Sequence, residues 1–343
     1  CPGNSPLAAA FHAYLGPHLS PAIVRQSDER WDGVVVGAGP SGALAARQLA
    51  SRGLRVLLVE KKEFPRDKVC GGCVGRRAVR LLESLELGEI GAGQGGRPIS
   101  QMRVCRGSRR LEVPLSGGVA ISRRAFDAAL VGAAVRAGVV FRPGTEATVV
   151  RDDAQENESW REVVLQPRGK TATTVAARVV LAADGLGHGS LRRMPAFTSR
   201  VSRGARVGLG AMMSADYADY EPGTIHMAIG RRGYVGLVRV EDGRLNVAAA
   251  VDRSLLHERR GPAATVAGIL SEARMPVPAG FDQAGWQGTP PLTRHTPKLS
   301  GRRLFVLGDA AGYVEPFTGE GIAWGLTAAV AVSPLAAQAC EAW

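Results

Sequence analysis

Val34-Val35-Val36-Gly37-Ala38-Gly39-Pro40-Ser41-Gly42 is an apolar β-branched run that feeds a glycine loop, and the loop feeds the alanine-rich segment Ala43-Leu44-Ala45-Ala46. The next apolar run, Arg55-Val56-Leu57-Leu58-Val59, ends on Glu60. A strand, a glycine loop, a helix and a second strand closed by an acid form a complete βαβ dinucleotide-binding fingerprint, which is more than a bare G-x-G-x-x-G. Gly37 allows a tight turn out of the strand. Gly39 has no Cβ, so a pyrophosphate can lie against the main chain. Gly42 lets the helix sit close to the sheet. Free amides at the helix start face the phosphate charge, which adds Ser41 to the phosphate-facing set, and Pro40, which has no N–H to donate, joins it as the residue that opens the helix. Glu60 stands 18 residues beyond Gly42, where an acid accepts hydrogen bonds from ribose hydroxyls, and Lys61 beside it joins the ligand set. Gly53 falls where a helix-terminating glycine belongs.

A chain of 343 residues with 45% hydrophobic content is long enough for two interleaved domains. No uninterrupted apolar run reaches 18 residues, so no membrane-spanning helix is expected. No basic segment followed by an apolar one opens the chain, so no signal peptide is expected and a cytoplasmic location is. The net charge of +12 is compatible with peripheral contact with an anionic membrane. Only five of the 43 basic residues are Lys; the charges are scattered, and 5% of residues are aromatic. That reads as compositional bias, and nucleic acid is not an expected partner. Five cysteines, an odd number, do not make a disulfide framework. Cys70-Gly71-Gly72-Cys73 is a C-x-x-C without a βαβ unit of its own and without a second such pair. Neither a thioredoxin-like centre nor a metal site is expected from it.

Residues 1–30 read as a poorly ordered arm with a short helix at residues 7–15. Helical spacing of Val79, Leu82 and Leu85 predicts a helix from Arg76 to Leu87. Residues 89–98 read as a glycine-rich loop, whose Gly91-x-Gly93-x-x-Gly96 is a decoy because no strand precedes it. Residues 102–113 read as a strand pair turning at Gly107-Ser108. Ser122 caps a helix that runs to Ala137 and stops at Gly138. Short strands follow at 139–142, 145–150, 162–166, 173–177 and 178–183. A meander spans 207–251, its clearest hairpin turning through Glu241-Asp242-Gly243-Arg244. A helix over 255–273 is broken at Gly261-Pro262. A buried strand at 303–307 precedes Gly308-Asp309, and a helix starts near Gly321. His226 and His295 show no paired acid and read as structural or exposed.

Three strand ends line up in this reading: Gly37 to Gly42, Asp184-Gly185, and Gly308-Asp309. In an open α/β sheet, ligands lie beyond the carboxyl ends of strands. Three such ends, far apart in sequence, fit one elongated ligand, and FAD has that anatomy.

The chain resembles the flavoprotein superfamily of para-hydroxybenzoate hydroxylase, and within it the geranylgeranyl reductase-like branch. The motifs are Gly37-x-Gly39-x-x-Gly42-x-x-x-Ala46 with Glu60, then Ala182-Ala183-Asp184-Gly185, then Leu307-Gly308-Asp309-Ala310-Ala311-Gly312 followed by Pro316-x-x-Gly319-x-Gly321-Ile322. They span about residues 31–335. The resemblance implies an α/β fold with a Rossmann-like FAD-binding domain of the GR2 type and an inserted antiparallel substrate sheet. Residues 31–97, 120–197 and 296–343 then form the FAD-binding domain, and 98–119 with 198–295 the substrate domain.

The resemblance also implies roles. Glu60 holds the adenosine ribose, and Arg123 approaches the pyrophosphate. Asp184 with Gly185 lies by the pyrophosphate, and Gly308-Asp309 at the ribityl or pyrophosphate region. Gly319, Gly321 and Ile322 lie at the pyrimidine edge of the flavin, where helix-start amides stabilise charge on the reduced ring. Lys68-Val69-Cys70-Gly71-Gly72 matches the lysine-x-cysteine-glycine-glycine stretch of geranylgeranyl reductase-like enzymes, which puts Cys70 at the active face as a catalytic candidate. Halogenases of the superfamily carry Trp-x-Trp-x-Ile-Pro, which does not occur here. The reductases carry Tyr-x-Trp-x-Phe-Pro; the nearest stretch here, Tyr234-Val235-Gly236-Leu237-Val238, lacks the Trp, Phe and Pro. The resemblance therefore does not bring the prenyl substrate with it.

The implied activity is an FAD-dependent, NAD(P)H-consuming oxidoreductase acting on a lipophilic or aromatic small molecule, with hydride passing from flavin N5 to a C=C bond. With no second nucleotide fold, NAD(P)H visits transiently. A monooxygenase working through a flavin C4a adduct is the alternative within enzymes. A non-catalytic flavin-binding protein is the alternative outside them.

Overall fold

The computed structural model describes residues 29–150, 159–214, 218–315 and 317–341. The arm expected at residues 1–30 lies almost wholly outside them, as does Pro316.

The opening strand, Arg30–Val36, is buried without a break from Gly33 to Val36, as a strand covered on both faces requires. It pairs in parallel with Val56–Val59 on one side and with Thr173–Ala182 on the other. Leu304–Val306 and Val140–Arg142 extend the parallel sheet at its two ends. Thr173–Ala182 is one continuous strand, not the two that its mixed pattern suggested. Its first half alternates because it pairs antiparallel with Arg161–Pro167, and its second half is buried throughout as an inner parallel strand.

Three helices cover one face. Pro40–Ala50 presents Ala43, Ala46 and Leu49, and Arg123–Arg136 presents Phe126, Leu130 and Ala134. The third, Gly321–Glu341, packs on the first through Gly325, Leu326 and Ala329. Ser122 caps its helix as expected, its Oγ accepting from the Ala125 amide at 3.1 Å. Gly321–Glu341 is the one helix among the described residues long and apolar enough to cross a membrane; it carries Pro334 and contributes Ala329, Ser333 and Ala336 to the core.

A second eight-stranded sheet stands over the carboxyl ends of the first. Its order runs Gln287–Pro291, Val207–Met213, Leu245–Val251, Gly233–Arg239, Thr224–Ile229, Arg97–Arg106, Arg109–Ala120 and Cys73–Val74. The expected hairpin through residues 241–244 is present, with Arg239 opposite Leu245. The strand pair expected at 102–113 runs longer at both ends, and the expected loop at 89–98 is kinked at Ile90 and Gly91, whose backbone is not helical, before the strand starts at Arg97. The sheet is antiparallel except that Thr224–Ile229 lies parallel to Arg97–Arg106. Cys73–Val74 belongs to this sheet by pairing with Val119 and Ala120.

On the face away from the parallel sheet, His226 is buried edge-on to Tyr220, with ring centroids 5.0 Å apart. It does have an acid nearby: Glu221 Oε2 is 3.4 Å from Nε2. Burial pushes the imidazole pKa down to about 4; Glu221 opposes this and Arg103 adds to it. The unfolded chain therefore binds a proton near pH 6.5 that the folded chain refuses until about pH 4, so this group makes stability fall as pH drops through that window. A His226→Leu variant is expected to flatten the dependence of the urea midpoint on pH between those values. Gly42→Ala is expected to destabilise by at least about 3 kcal/mol, because its Cβ would stand 1.9 Å from the Gly37 carbonyl oxygen. Thermal unfolding measures that loss.

Candidate active site

Three loops leave adjacent parallel strands at the same edge. Ala183 donates its amide to Val36 O at 2.8 Å, and Leu307 donates to Ala182 O at 3.0 Å, so the loops stay in register as they emerge. Gly37, at φ +100°, passes so close to the next loop that a Cβ would stand 2.4 Å from Ala183 O. Gly308, at φ +63°, and Gly325 each press against Ser41, whose Oγ lies 2.4 Å from a Cβ built on either. Gly37 brings backbone to backbone, and Gly308 and Gly325 make room for the Ser41 side chain, where larger residues would hold the loops apart.

Gly39 is the N-cap of the helix Pro40–Ala50; no side chain caps it and its first turn holds no acid. The amides there face two guanidinium groups. A Cβ on Gly39 would lie 3.6 Å from Arg123 Nη2 and 3.9 Å from Arg66 Nη2. Both arginines are fixed by Asp127, which is wholly buried. Asp127 accepts from Arg123 Nε and Nη2 and from Arg66 Nη1, each at 2.8 Å. Arg66 Nε also lies 3.2 Å from Glu60 Oε2. Glu60 in turn accepts from the amides of Ala38 and Lys62, at 3.2 and 3.1 Å. Burial by itself would raise the Asp127 carboxyl; Arg123 and Arg66 outweigh it and hold the group ionised well below the carboxylate range. The same pairing raises Arg123 against its own burial. A bound anion thus meets positive donors that need no rearrangement.

Past the phosphate loop the groove opens into a cavity of about 410 Å³. Its near wall holds Gly39, Pro40, Ser41, Arg123, Ala183, Gly185 and Asp309. Its floor is the turn carrying Phe317, Thr318, Gly319, Gly321 and Ile322. Gly319 has φ +74°, and a Cβ on Gly319 or Gly321 would meet no atom within 4 Å, which leaves open space beside the start of the last helix. Lys68 and Cys70 form a side wall. Lys68 Nζ is 3.9 Å from Asp309 Oδ2. Burial, then the charge of Arg123, push its amine below the usual lysine range, against the pull of Asp309. Asn246 Nδ2 donates to the Cys70 carbonyl at 2.9 Å, tying that wall to the second sheet. The roof is apolar: Met102, Leu115, Ile225, Met227, Tyr234 and Leu292 line it.

The structure thus brings together Gly39, Pro40, Ser41, Cys70, Arg123, Gly185, Asp309, Gly319, Gly321 and Ile322 on one cavity. Gly37, Gly42 and Gly308 sit behind it and set the spacing. Glu60 joins the Arg66–Asp127 charge chain. Asp184 is not among the cavity-lining residues: its Oδ2 accepts from the Ser190 amide at 2.8 Å, and its Oδ1 is buried without a partner. Lys61 is exposed and off the cavity, its Nζ 3.5 Å from a Cβ built on Gly187. Sequence reasoning missed Arg66. The signal lay in Phe64-Pro65-Arg66-Asp67-Lys68, directly before the cysteine stretch, but nothing local ties it to Asp127.

An FAD binding domain model matches residues 30–339. The chain belongs to that family. It is an FAD-dependent oxidoreductase of the superfamily that holds the geranylgeranyl reductase-like enzymes. The chain is 27% identical over 329 residues to a menaquinone reductase of Mycobacterium tuberculosis, covering 87% of this chain and 74% of the relative. It is 27% identical over 319 residues to a digeranylgeranylglycerophospholipid reductase of Methanococcoides burtonii, covering 91% and 75%. Among solved structures, a geranylgeranyl bacteriochlorophyll reductase-like protein from Thermoplasma acidophilum superposes with a TM-score of 0.72 at 21% identity, over 91% of this chain and 79% of the other. A flavin-dependent brominase superposes with a TM-score of 0.76 at 17% identity, over 92% and 80%.

The residues present fit FAD. Paired guanidinium groups and uncapped amides suit a pyrophosphate, and the open face along Gly319–Gly321 suits a flat ring. Asp127→Ala is expected to cost about 3–5 kcal/mol, because it strands two buried guanidinium groups. Urea denaturation of the FAD-free protein measures this, and the same variant is expected to bind FAD at least about tenfold more weakly.

Proposed function

We propose that the protein reduces a carbon–carbon double bond in a lipophilic small molecule, with NAD(P)H as a transient reductant. The observation that carries this reading is the apolar face of the second sheet, which meets the Gly319–Ile322 turn and the Cys70 wall in one cavity. That face continues beyond the cavity. Met102 lies opposite Val113, and Val104 opposite Leu111, so an apolar ladder runs outward along the hairpin to Leu111, which is 60% exposed. A substrate with a long apolar part can lie along it. The reductase names of the two relatives support the same reading.

Bound FAD supplies the hydride, from N5 of its reduced ring. The chain does the rest. Arg123 and the amides of Ser41 and Gly42 would hold the pyrophosphate, with Arg66 behind them. Asp309 and Gly185 would hold the ribityl chain, and Glu60 the adenosine ribose. Amides at the start of Gly321–Glu341 would hold negative charge at the pyrimidine edge, aided by the helix dipole. The apolar roof excludes water from the double bond. Cys70 holds a proton at Sγ beside it. In this division residues 98–119 and 198–295 serve the substrate, and 31–97, 120–197 and 296–343 serve FAD. The net charge of +12 suits work from the cytoplasm at an anionic lipid surface.

The test is anaerobic. FAD-loaded protein is reduced with NADPH or NADH, then mixed with menaquinone-type and geranylgeranyl compounds. The reading expects flavin reoxidation matched by a product carrying two added hydrogens. Flavin that stays reduced until oxygen is admitted, and then reoxidises with a hydroxylated product, would replace it with the monooxygenase reading. Cys70→Ala is expected to lower turnover about 100-fold while leaving FAD binding intact.

A further inference from the structure

The second half of Cys70-Gly71-Gly72-Cys73 has no place in the reading above. The family stretch ends at the two glycines, and this chain follows them with another thiol. Both sulfur-bearing residues are half-buried and unpaired, and both line the cavity.

The loop is built to keep them there. Gly72 sits at φ +71°, and a Cβ at that position would stand 2.9 Å from Asn246 Nδ2, so no other residue makes this turn without displacing Asn246. Asn246 in turn holds the Cys70 carbonyl at 2.9 Å. Gly72 O accepts from the Ile121 amide at 2.9 Å, and Cys73 enters the edge of the second sheet opposite Ala120. The carbonyls of Cys70 and Gly72 are therefore both pinned. Gly71, between them, has no atom within 4 Å of a built Cβ, and its carbonyl accepts from Cys73 Sγ at 3.4 Å, so the second thiol is turned back over the loop that joins it to Cys70.

The two thiols are unequal. Burial pushes the Cys73 thiol up to about 12, and Cys70 adds to that. Cys73 stays a thiol at neutral pH, and Cys70 is the attacking member.

We propose that Cys70 and Cys73 are a peroxide-reactive thiol pair that closes to a disulfide on the wall of the substrate cavity. The oxidant is hydrogen peroxide, which reduced flavoproteins release when oxygen takes their electrons. Cys70 attacks one peroxide oxygen; the O–O bond breaks, an S–O bond forms, and one water leaves. Cys73 then attacks the Cys70 sulfur; the S–O bond breaks, the S–S bond forms, and the second water carries away the remaining proton and hydroxyl. The two thiols lose two electrons in total, and the peroxide gains them. The bridge ties up the proton-bearing sulfur of the cavity wall, so turnover stops until a dithiol reductant reopens it.

The thiol chemistry is read without a substrate, so it stands or falls separately from the proposed reduction. FAD-loaded protein is treated with a small excess of hydrogen peroxide, unfolded, alkylated and digested with trypsin. Cleavage after Lys68 and Arg76 puts both cysteines in one peptide, residues 69–76. The expected peptide is lighter by two hydrogens and takes up no alkyl group; dithiothreitol first restores two. Buried Cys105 and Cys340 stay alkylatable throughout. In Cys73→Ser, dimedone is expected to trap a sulfenic acid at Cys70 that wild type does not accumulate. A Cys70 that gains oxygens while Cys73 still alkylates would overturn the proposal, as would two thiols that both survive. The peptide map needs only wild-type protein, so a Cys73→Ser variant that fails to fold leaves the test decisive.

Discussion

The site depends on how closely three backbones approach at one edge of the parallel sheet. Gly37 against Ala183, Gly42 against Gly37, and Gly308 against Ser41 are contacts in which a single added methyl group would collide with a neighbour. Because they are that tight, the phosphate loop, the Ala183–Gly185 loop and the Gly308–Ala310 turn share one groove. Every functional side chain is then placed relative to that groove. Cofactor contact here is a consequence of packing between loops more than of individual ligand side chains.

Charge supplies what the glycines cannot. A pyrophosphate needs cations, and free arginines would need ordering when it arrives. Asp127 has already ordered them. One buried carboxylate holds Arg66 and Arg123 at 2.8 Å each, and Glu60 holds the other end of Arg66. The entropic cost of fixing two long side chains is met on folding, so binding begins with the donors in place. The opposite wall works by exclusion. The apolar roof offers no charge to the reacting region and sheds water from it.

Much of this was legible in the sequence, wherever the determining contacts are local. The βαβ unit, the Ser122 cap and the 241–244 hairpin each announce themselves within a few residues. The three strand-end motifs could be aligned because glycine and acid follow an apolar run each time. What was not legible depends on partners far along the chain. Nothing near Arg66 names Asp127, 61 positions away. The parallel pairing of Thr224–Ile229 with Arg97–Arg106 breaks the meander rule that neighbouring strands run opposite, and no pattern in either strand marks it. Asp184 was legible as an acid at a strand end, but not that the Ser190 amide, six positions on, donates to one of its carboxylate oxygens. His226 looked unpaired because its acid lies in a turn, five residues back.

The order of the segments along the chain governs when this molecule becomes competent. The phosphate loop is made long before the strand Leu304–Val306, the Gly308 turn and the Gly321–Glu341 helix that wall it in. Through that interval a nascent chain carries the glycine loop with one flank uncovered and its helix unpacked. Residues 30–60 are not a module that could be cut out, transplanted or completed early; their groove exists only once residues 304–341 have folded back onto them.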